Sequence, residues 1–464
     1  CGASPSDQLA VAHSLATNNG LPCYRFPVVH LPEPGSELEE LTHLMEREFI
    51  LDGAVFVLDT HVDKEAHAPH ARSIARLISQ AEGLLVVTAR ERSSTGSRET
   101  LVKDIGPPSP EEQEAQWLRT FRDWPEAFFA NGDDWLVPTA SHLTNGFVLD
   151  GFKLKSAASQ ALGVLLHDDE PPFNPEEILH AVWDGCRAQV RPGIEHLAQR
   201  LTNSATWDEL ILPPAQRQQL YDIEAQVRNR MVVHHAWAFG GKTSRGKGNA
   251  VMFSGPSGTG KTLAAEALAT RLRMDLFKVD LGATVSKYIG ETEKNLARIF
   301  DAAERGGSIL LFDEADSLFG KRSEVKDAKD RYANIEVSYL LQRLETFTGL
   351  IILTTNLRDS IDQAFMRRLR TVIEFPFPSA EFREQIWRRS LQGNIPLGKI
   401  EYHKLARLSV SGGTIRNIAM SAVYSAASDE PARQLEMVHL RDAAKMEFLK
   451  AQHILTQDEV GDWV

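Results

Sequence analysis

The sequence predicts an α/β protein: two parallel-sheet units in tandem, each followed by a helical segment. Three observations lead there. Short apolar strands, such as Ala54-Val-Phe-Val-Leu-Asp59 and Ser308-Ile-Leu-Leu-Phe-Asp313, alternate with helical stretches, the pattern of parallel sheets flanked by helices. The chain has 464 residues, more than one core accommodates, so two or three domains are expected. The first half also shadows the second. Gly2-Ala-Ser-Pro-Ser-Asp-Gln-Leu9 has the layout of Gly255-Pro-Ser-Gly-Thr-Gly-Lys-Thr262, and each leads into an Ala/Leu run (10–16 and 263–269). The acid closing the strand Ala54–Asp59 lies 57 residues beyond Gly2, and the acid closing Ser308–Asp313 lies 58 beyond Gly255. A third strand recurs as Gly83-Leu-Leu-Val-Val-Thr88 and Gly349-Leu-Ile-Ile-Leu-Thr354. Pro108-Ser109 and Pro378-Ser379 lead to Trp117 and Trp387 at the same spacing of nine. Any two α/β domains share strands and glycine turns; the Pro-Ser to Trp spacing asks for more.

The segments follow in order. Residues 1–109 form the first α/β part, and 110–205 its helical continuation, with a helix over 175–190. A lead-in, 206–250, holds a Pro213-Pro214 stop, a helix near 215–233 and a Gly/Lys-rich loop at 240–248, read as a solvated connection. Residues 251–378 form the second α/β part and 379–464 its helical continuation, with amphipathic runs at 380–391 and 414–427.

Composition narrows the partners. Hydrophobic content of 42% and charged content of 25% are those of a soluble globular chain. A net charge of −12 argues against a general nucleic-acid binder, leaving only a local basic patch open. No apolar run reaches the roughly 18 residues of a membrane span. Cys1, Cys23 and Cys186 are too few and too scattered for a disulfide scaffold or a metal site, which fits a reducing cytosol. Residues ahead of Cys1, including any targeting signal, stay an open matter.

The chemistry is concentrated after the strand at 251–254. Gly255, Pro256, Ser257, Gly258, Thr259, Gly260, Lys261 and Thr262 form the phosphate loop G-x-x-x-x-G-K-[ST]. Its glycines let backbone N–H groups face phosphates at the positive end of a helix. Lys261 is placed for the β- and γ-phosphates, and the Thr262 hydroxyl for Mg²⁺. Asp313-Glu314 closes the next apolar strand, Asp313 to hold Mg²⁺ through water and Glu314 to orient and deprotonate the attacking water. Asn356, at the end of a third strand, is placed to touch the γ-phosphate or the water.

Residues 207–464 resemble an AAA-type ATPase module, and within that group the branch containing katanin and spastin. Ser286-Lys-Tyr-Ile-Gly-Glu-Thr-Glu-Lys-Asn295 resembles the first pore loop with its following helix, and Ile361-Asp-Gln-Ala-Phe-Met-Arg-Arg-Leu369 the segment that supplies arginine fingers. The resemblance implies ATP and Mg²⁺ as cofactors, Asn356 as first sensor, and Arg367 and Arg368 acting on the ATP of a neighbouring subunit. It implies that Lys287, Tyr288 and Ile289 point into the channel of a ring, expected to be a cytoplasmic homohexamer, and grip protein there. Gly413-Thr-Ile-Arg416 resembles a second-sensor pattern of the wider superfamily, which the katanin-like branch usually lacks; a plain helix-surface arginine is the alternative for Arg416. The charged run 320–331 resembles a second pore loop, with a solvated helix face as its alternative.

The first half resembles an AAA module that has lost its chemistry, with Gln8, Thr60 and Arg90 in place of the lysine, glutamate and asparagine; an unrelated α/β domain is the alternative. An inert module before an active one resembles bacterial tandem ATPases found with contractile injection systems, as do the phrases around 286–294, 330–336 and 375–378. The function expected is an ATP-hydrolysing ring motor that remodels or threads protein. A nucleotide-gated assembly scaffold is the alternative, and a nucleic-acid motor is disfavoured by the acidity.

Overall fold

Parallel strand pairing organises both units of the chain, which divides at 189/190. The structure is a computed structural model. It describes all residues except 3, 62–69, 91–98, 131, 169–172, 203–204, 234–236, 238–247, 281–290, 317–338, 359–360, 430–433 and 451–464.

In the first unit β1 (Cys23–Pro27), β2 (Val55–Asp59) and β3 (Leu84–Thr88) pair in that order, all parallel. The central strand is the apolar one: Val55, Val57 and Leu58 are each at most 5% exposed. Helices α1 (Pro5–Asn18), α2 (Ser36–Asp52) and α3 (Ala71–Gln80) accompany this sheet. The helical part follows as α4 (Pro110–Arg122), α5 (Leu136–Gly146), α6 (Gly151–Asp168) and α7 (Pro175–Val190). Ser109 starts α4 with a reciprocal cap: its hydroxyl accepts from the Glu112 N–H, and the Glu112 carboxylate accepts from the Ser109 N–H. Trp117 stacks on Phe121, and Trp124, Phe128 and Trp135 join them edge-on or tilted in an aromatic core.

The second unit contains α8 (Pro192–Glu195), β4 (Gln199–Leu201), α9 (Pro214–Met231), β5 (Asn249–Ser254), α10 (Lys261–Leu272) and β6 (Leu276–Val279). It continues with α11 (Glu291–Arg305), β7 (Ile309–Phe312), β8 (Leu350–Thr355), α12 (Gln363–Met366) and β9 (Thr371–Glu374). The sheet order is β4-β6-β7-β8-β5-β9. Alternate residues feed two cores: Met252, Phe277, Phe312 and Leu353 one, Val251, Phe253, Leu311 and Ile352 the other. β5 and β8 are buried along their whole length, as continuous apolar strands covered on both faces should be. The helical segment has a core of its own around Trp387, Leu405, Leu408 and Ile418, built by α13 (Ala380–Ser390), α14 (Tyr402–Leu405), α15 (Gly412–Ser428) and α16 (Met437–Lys450).

The structure differs from the sequence reading at two places: α1 begins at Pro5, inside the stretch 2–9 read as a loop, and the boundary between the units lies earlier. Residues 190–201, grouped there with the first helical part, belong to the second unit. β4 pairs antiparallel with β6, so this sheet is not wholly parallel. Ile194 is fully buried in the second unit's core, and Arg191 Nε donates to Asp275 Oδ2 at 2.8 Å. The edge strand covers the open side of β6. Among the described residues, no helix is long and apolar enough to cross a membrane.

Candidate nucleotide site

The carboxyl ends of β5, β7 and β8 bring the predicted residues together. Chain order jumps between β5 and β8, and ligands of open α/β sheets bind at such a crevice. The loop after β5 is tight. Gly255 donates its N–H to Thr355 O at 3.2 Å, and a Cβ built on it would lie 2.2 Å from Phe375 O. Gly260 precedes α10 with φ of 98° and no side-chain cap, which leaves the first N–H groups of the helix for a ligand. Lys261 Nζ donates to Gly255 O at 2.7 Å, Pro256 O at 2.9 Å and Asn356 Oδ1 at 2.8 Å. Burial pulls its pKa down from the ordinary lysine value against the opposing fields of Asp313 and Asp316.

Both oxygens of Asp313 are engaged. Lys278 Nζ lies 2.6 Å from Oδ2, and the Thr354 hydroxyl donates to Oδ1. Burial works to raise this carboxyl, but the Lys278 and Thr354 hydrogen bonds outweigh it and hold the pKa below the usual range. Glu314 is exposed and has φ of 55°, a left-handed conformation that costs a non-glycine residue roughly 1–2 kcal/mol. Its N–H donates to Thr354 Oγ1 at 3.3 Å, so the sheet end holds the strained backbone.

The helical segment α13–α16 forms a lid beside the phosphate loop. Ser411 caps α15, accepting from the Thr414 N–H, and Gly413 donates its N–H to Gly258 O at 2.9 Å. Gly258 has φ of 76°, and a Cβ there would lie 2.4 Å from Ser411 Oγ. Loop and lid thus enclose a cavity of about 910 Å³. Residues 257–262, Asp313, Glu314, Asn356 and Arg416 form its polar wall. Leu210, Ile211, Leu212, Ile386, Ile395 and Met420 form an apolar one, large enough for a heterocyclic base. Thr262 and Asp313 offer the oxygen ligands a hard cation takes, so the residues fit Mg²⁺ accompanied by phosphates. Among the described residues no group of three or more His, Cys, Asp or Glu is placed to hold a metal by itself.

The structure therefore brings Ser257 to Thr262, Asp313, Glu314, Asn356 and Arg416 to one cavity, with Gly255 and Pro256 at its edge through Lys261. Arg367 and Arg368 are absent from its lining. Arg367 is exposed, and Arg368 Nε lies 2.5 Å from Glu345 Oε1. Lys287, Tyr288, Ile289 and the run 320–331 lie outside the described residues. Sequence reasoning missed Lys278 and the apolar wall. A lysine inside the apolar strand 276–279 was the available signal for the first; the second draws on segments scattered from 210 to 420.

Some contacts of the first unit are of a similar kind, although its helix α1 already begins at Pro5, over positions that the sequence reading sets against the phosphate loop. Gly2 donates its N–H to Ala89 O at 3.0 Å, and a Cβ on it would lie 2.2 Å from Ile105 O. Gln8, which stands where Lys261 does, is 3% exposed; its Nε2 donates to Gly2 O at 2.7 Å and Ala89 O at 3.2 Å, and its Oε1 accepts from the Ala89 N–H. Arg25 Nη2 lies 2.7 Å from Asp59 Oδ2, and the Thr88 hydroxyl donates to Asp59 Oδ1 at 3.3 Å.

Comparison with known proteins bears on the second unit. Residues 251–377 match the model of the ATPase family associated with various cellular activities (AAA). The chain is 34% identical over 181 residues to the 26S proteasome regulatory subunit S10B homolog B of Arabidopsis thaliana, covering 37% of this chain and 45% of that protein. It is 34% identical over 185 residues to the proteasome-activating nucleotidase of Sulfurisphaera tokodaii, covering 38% and 47%. With the nucleotidase of Archaeoglobus fulgidus it shares 32% identity over 192 residues, covering 39% and 48%. The chain thus spans somewhat under half the length of these relatives. Residues 251–377, which match the AAA model, contribute the strand ends that line the cavity.

Proposed function

We propose that the second unit binds ATP with Mg²⁺ and hydrolyses it, and that copies of the chain complete one another's sites in a ring that acts on protein. The observation that carries this reading is the single cavity where the phosphate loop, Asp313, Glu314, Asn356 and Arg416 converge beside an apolar wall. The loop amides and Lys261 take the phosphates, while Thr262 and Asp313 hold the cation. Glu314 draws the proton from the attacking water, and Asn356 and Arg416 respond to the terminal phosphate. Bound Mg²⁺ neutralises charge on the transferring phosphate. Arg367 stands exposed and outside its own cavity, as a residue serving a neighbour's site would. Protein as substrate is suggested by relatives whose names tie them to the proteasome, and by Tyr288 with its neighbours.

The first unit reads as a module of the same design without phosphate chemistry. The repeated glycine contacts and the repeated cation–acid–threonine arrangement support this. Gln8, in the first turn of α1, ties Gly2 to Ala89 and brings no charge. A cytoplasmic bacterial setting beside a contractile injection system, and kinship with katanin and spastin, rest on module order and short phrases alone; co-purification with sheath and tube proteins tests the setting.

Glu314→Gln tests the central reading. The full-length variant should bind ATP, lose turnover by about a hundredfold or more, and hold its oligomer with ATP in mass photometry. Turnover at the wild-type rate sinks the assignment. Tyr288→Ala separates threading from a pure assembly cycle: if substrate remodelling survives, threading is wrong.

A further inference from the structure

We propose that Lys278 is a built-in counter-ion that competes with Mg²⁺ for the charge of Asp313, so that Lys278 sets how much Mg²⁺ the site requires. The inference rests on the reading of Asp313 as the residue that serves Mg²⁺.

The register places the pair. Lys278 on β6 is opposite Leu311 on β7, two residues before Asp313, so the two side chains leave the sheet on the same face. The ammonium sits 2.6 Å from Oδ2, and the Thr354 hydroxyl takes Oδ1. A hydrated cation approaching from the cavity therefore meets a carboxylate with one partner on each oxygen and its charge already offset by the ammonium. Hydroxyl and ammonium differ in how they yield. Thr354 is 1% exposed and belongs to the sheet, whereas the Lys278 side chain is 36% exposed on a flexible four-carbon stem and can turn out to water.

The first unit has the same arrangement at the end of its central strand. Arg25 on β1 is opposite Val57, two residues before Asp59, the same register that Lys278 holds toward Asp313. Arg25 and Thr88 take the oxygens of Asp59 as Lys278 and Thr354 take those of Asp313. That unit has Gln8 for the loop lysine and Thr60 for the glutamate. A strand-end acid with a basic partner on the next strand is thus a feature of the sheet itself. In the second unit the same acid also faces a metal-accepting cavity, and the two claims on it compete. Partly exposed pairs of this kind shift such an equilibrium by about three- to fivefold.

The test uses the full chain and a fluorescent, non-hydrolysable ATP analogue, titrated with Mg²⁺ and followed by binding and by thermal melting. Lys278→Met and Lys278→Gln should lower the half-saturating Mg²⁺ about three- to fivefold while lowering the melting temperature without nucleotide. Lys278→Arg, which puts a forked guanidinium where the first unit has one, should raise it. A lower melting temperature with an unmoved Mg²⁺ midpoint leaves Lys278 a purely structural pair and overturns the proposal. Should Met and Gln fail to fold, the Arg variant decides, and an unmoved or lowered midpoint overturns it. If Asp313→Asn keeps the full response to Mg²⁺, the metal role of Asp313 falls first, and the role of Lys278 with it.

Discussion

Substituting Gly258 by alanine probes the junction between phosphate loop and lid. Gly258 has φ of 76°, where an L-residue costs roughly 1–2 kcal/mol. The new Cβ would lie 2.4 Å from Ser411 Oγ and 3.2 Å from Ser411 Cβ, so the serine must move. That hydroxyl caps α15, and losing the cap costs about 1 kcal/mol. Together these come to about 2–3 kcal/mol, set at the one place where Gly413 hydrogen-bonds Gly258. The lid has its own core around Trp387 and Ile418, so the junction gives before the lid melts. The loss should therefore appear as nucleotide affinity weakened about thirty- to a hundredfold, with a smaller fall in melting temperature. Adding Ser411→Gly relieves the clash at the cost of a few tenths of a kcal/mol in capping, and should recover about threefold. Fluorescent-nucleotide titration of the wild type, both single variants and the double variant closes the cycle. Wild-type affinity in Gly258→Ala, or no recovery in the double variant, refutes the reasoning.

Other expectations concern the remaining parts. Isothermal titration should find one nucleotide per wild-type chain and none in Lys261→Ala, and Gln8→Lys should add none; a nucleotide held by Lys261→Ala would place a working site in the first unit. Arg367→Ala/Arg368→Ala should lose about a thousandfold in turnover and regain activity when mixed with Lys261→Ala subunits; no gain in proven mixed rings counts against action in trans. Asp59 is pressed upward by burial but held below the usual carboxylate range by Arg25, the His61 N–H and Thr88. Its stabilising contribution is therefore present above the ordinary aspartate pKa of about 4 and lost as pH falls through the lowered value. Asp59→Asn should flatten the acid limb of the first unit's melting curve below about pH 4, and an unchanged limb removes this carboxylate from the account.

Much of the site was legible because its signals are local. The phosphate loop announces itself by spacing along eight consecutive residues, and Asp313 and Glu314 by their place at the end of an apolar strand. Ser109 and Ser379 each start a helix that buries a tryptophan, so the repeated Pro-Ser to Trp spacing has a physical cause: a capped helix start places the tryptophan two turns later, at Trp117 and Trp387, both fully buried.

Tertiary structure decided what depends on neighbours far apart in the chain. Lys278 meets Asp313, and Arg25 meets Asp59, because parallel strands bring residues 35 and 34 positions apart into one register. The apolar wall needs the lead-in at 210–212 and the lid at 386, 395 and 420 to fold onto one opening. Gln8 reads in sequence as a missing lysine, but the fold places it in the first turn of α1 and turns its amide inward onto Gly2 and Ala89. Sequence by itself determined which groups can do chemistry, since their spacing along one strand-turn-helix carries the information. Which groups hold one another in place was left to the sheet, because hydrogen bonds across strands follow register, and register is settled only when the core packs.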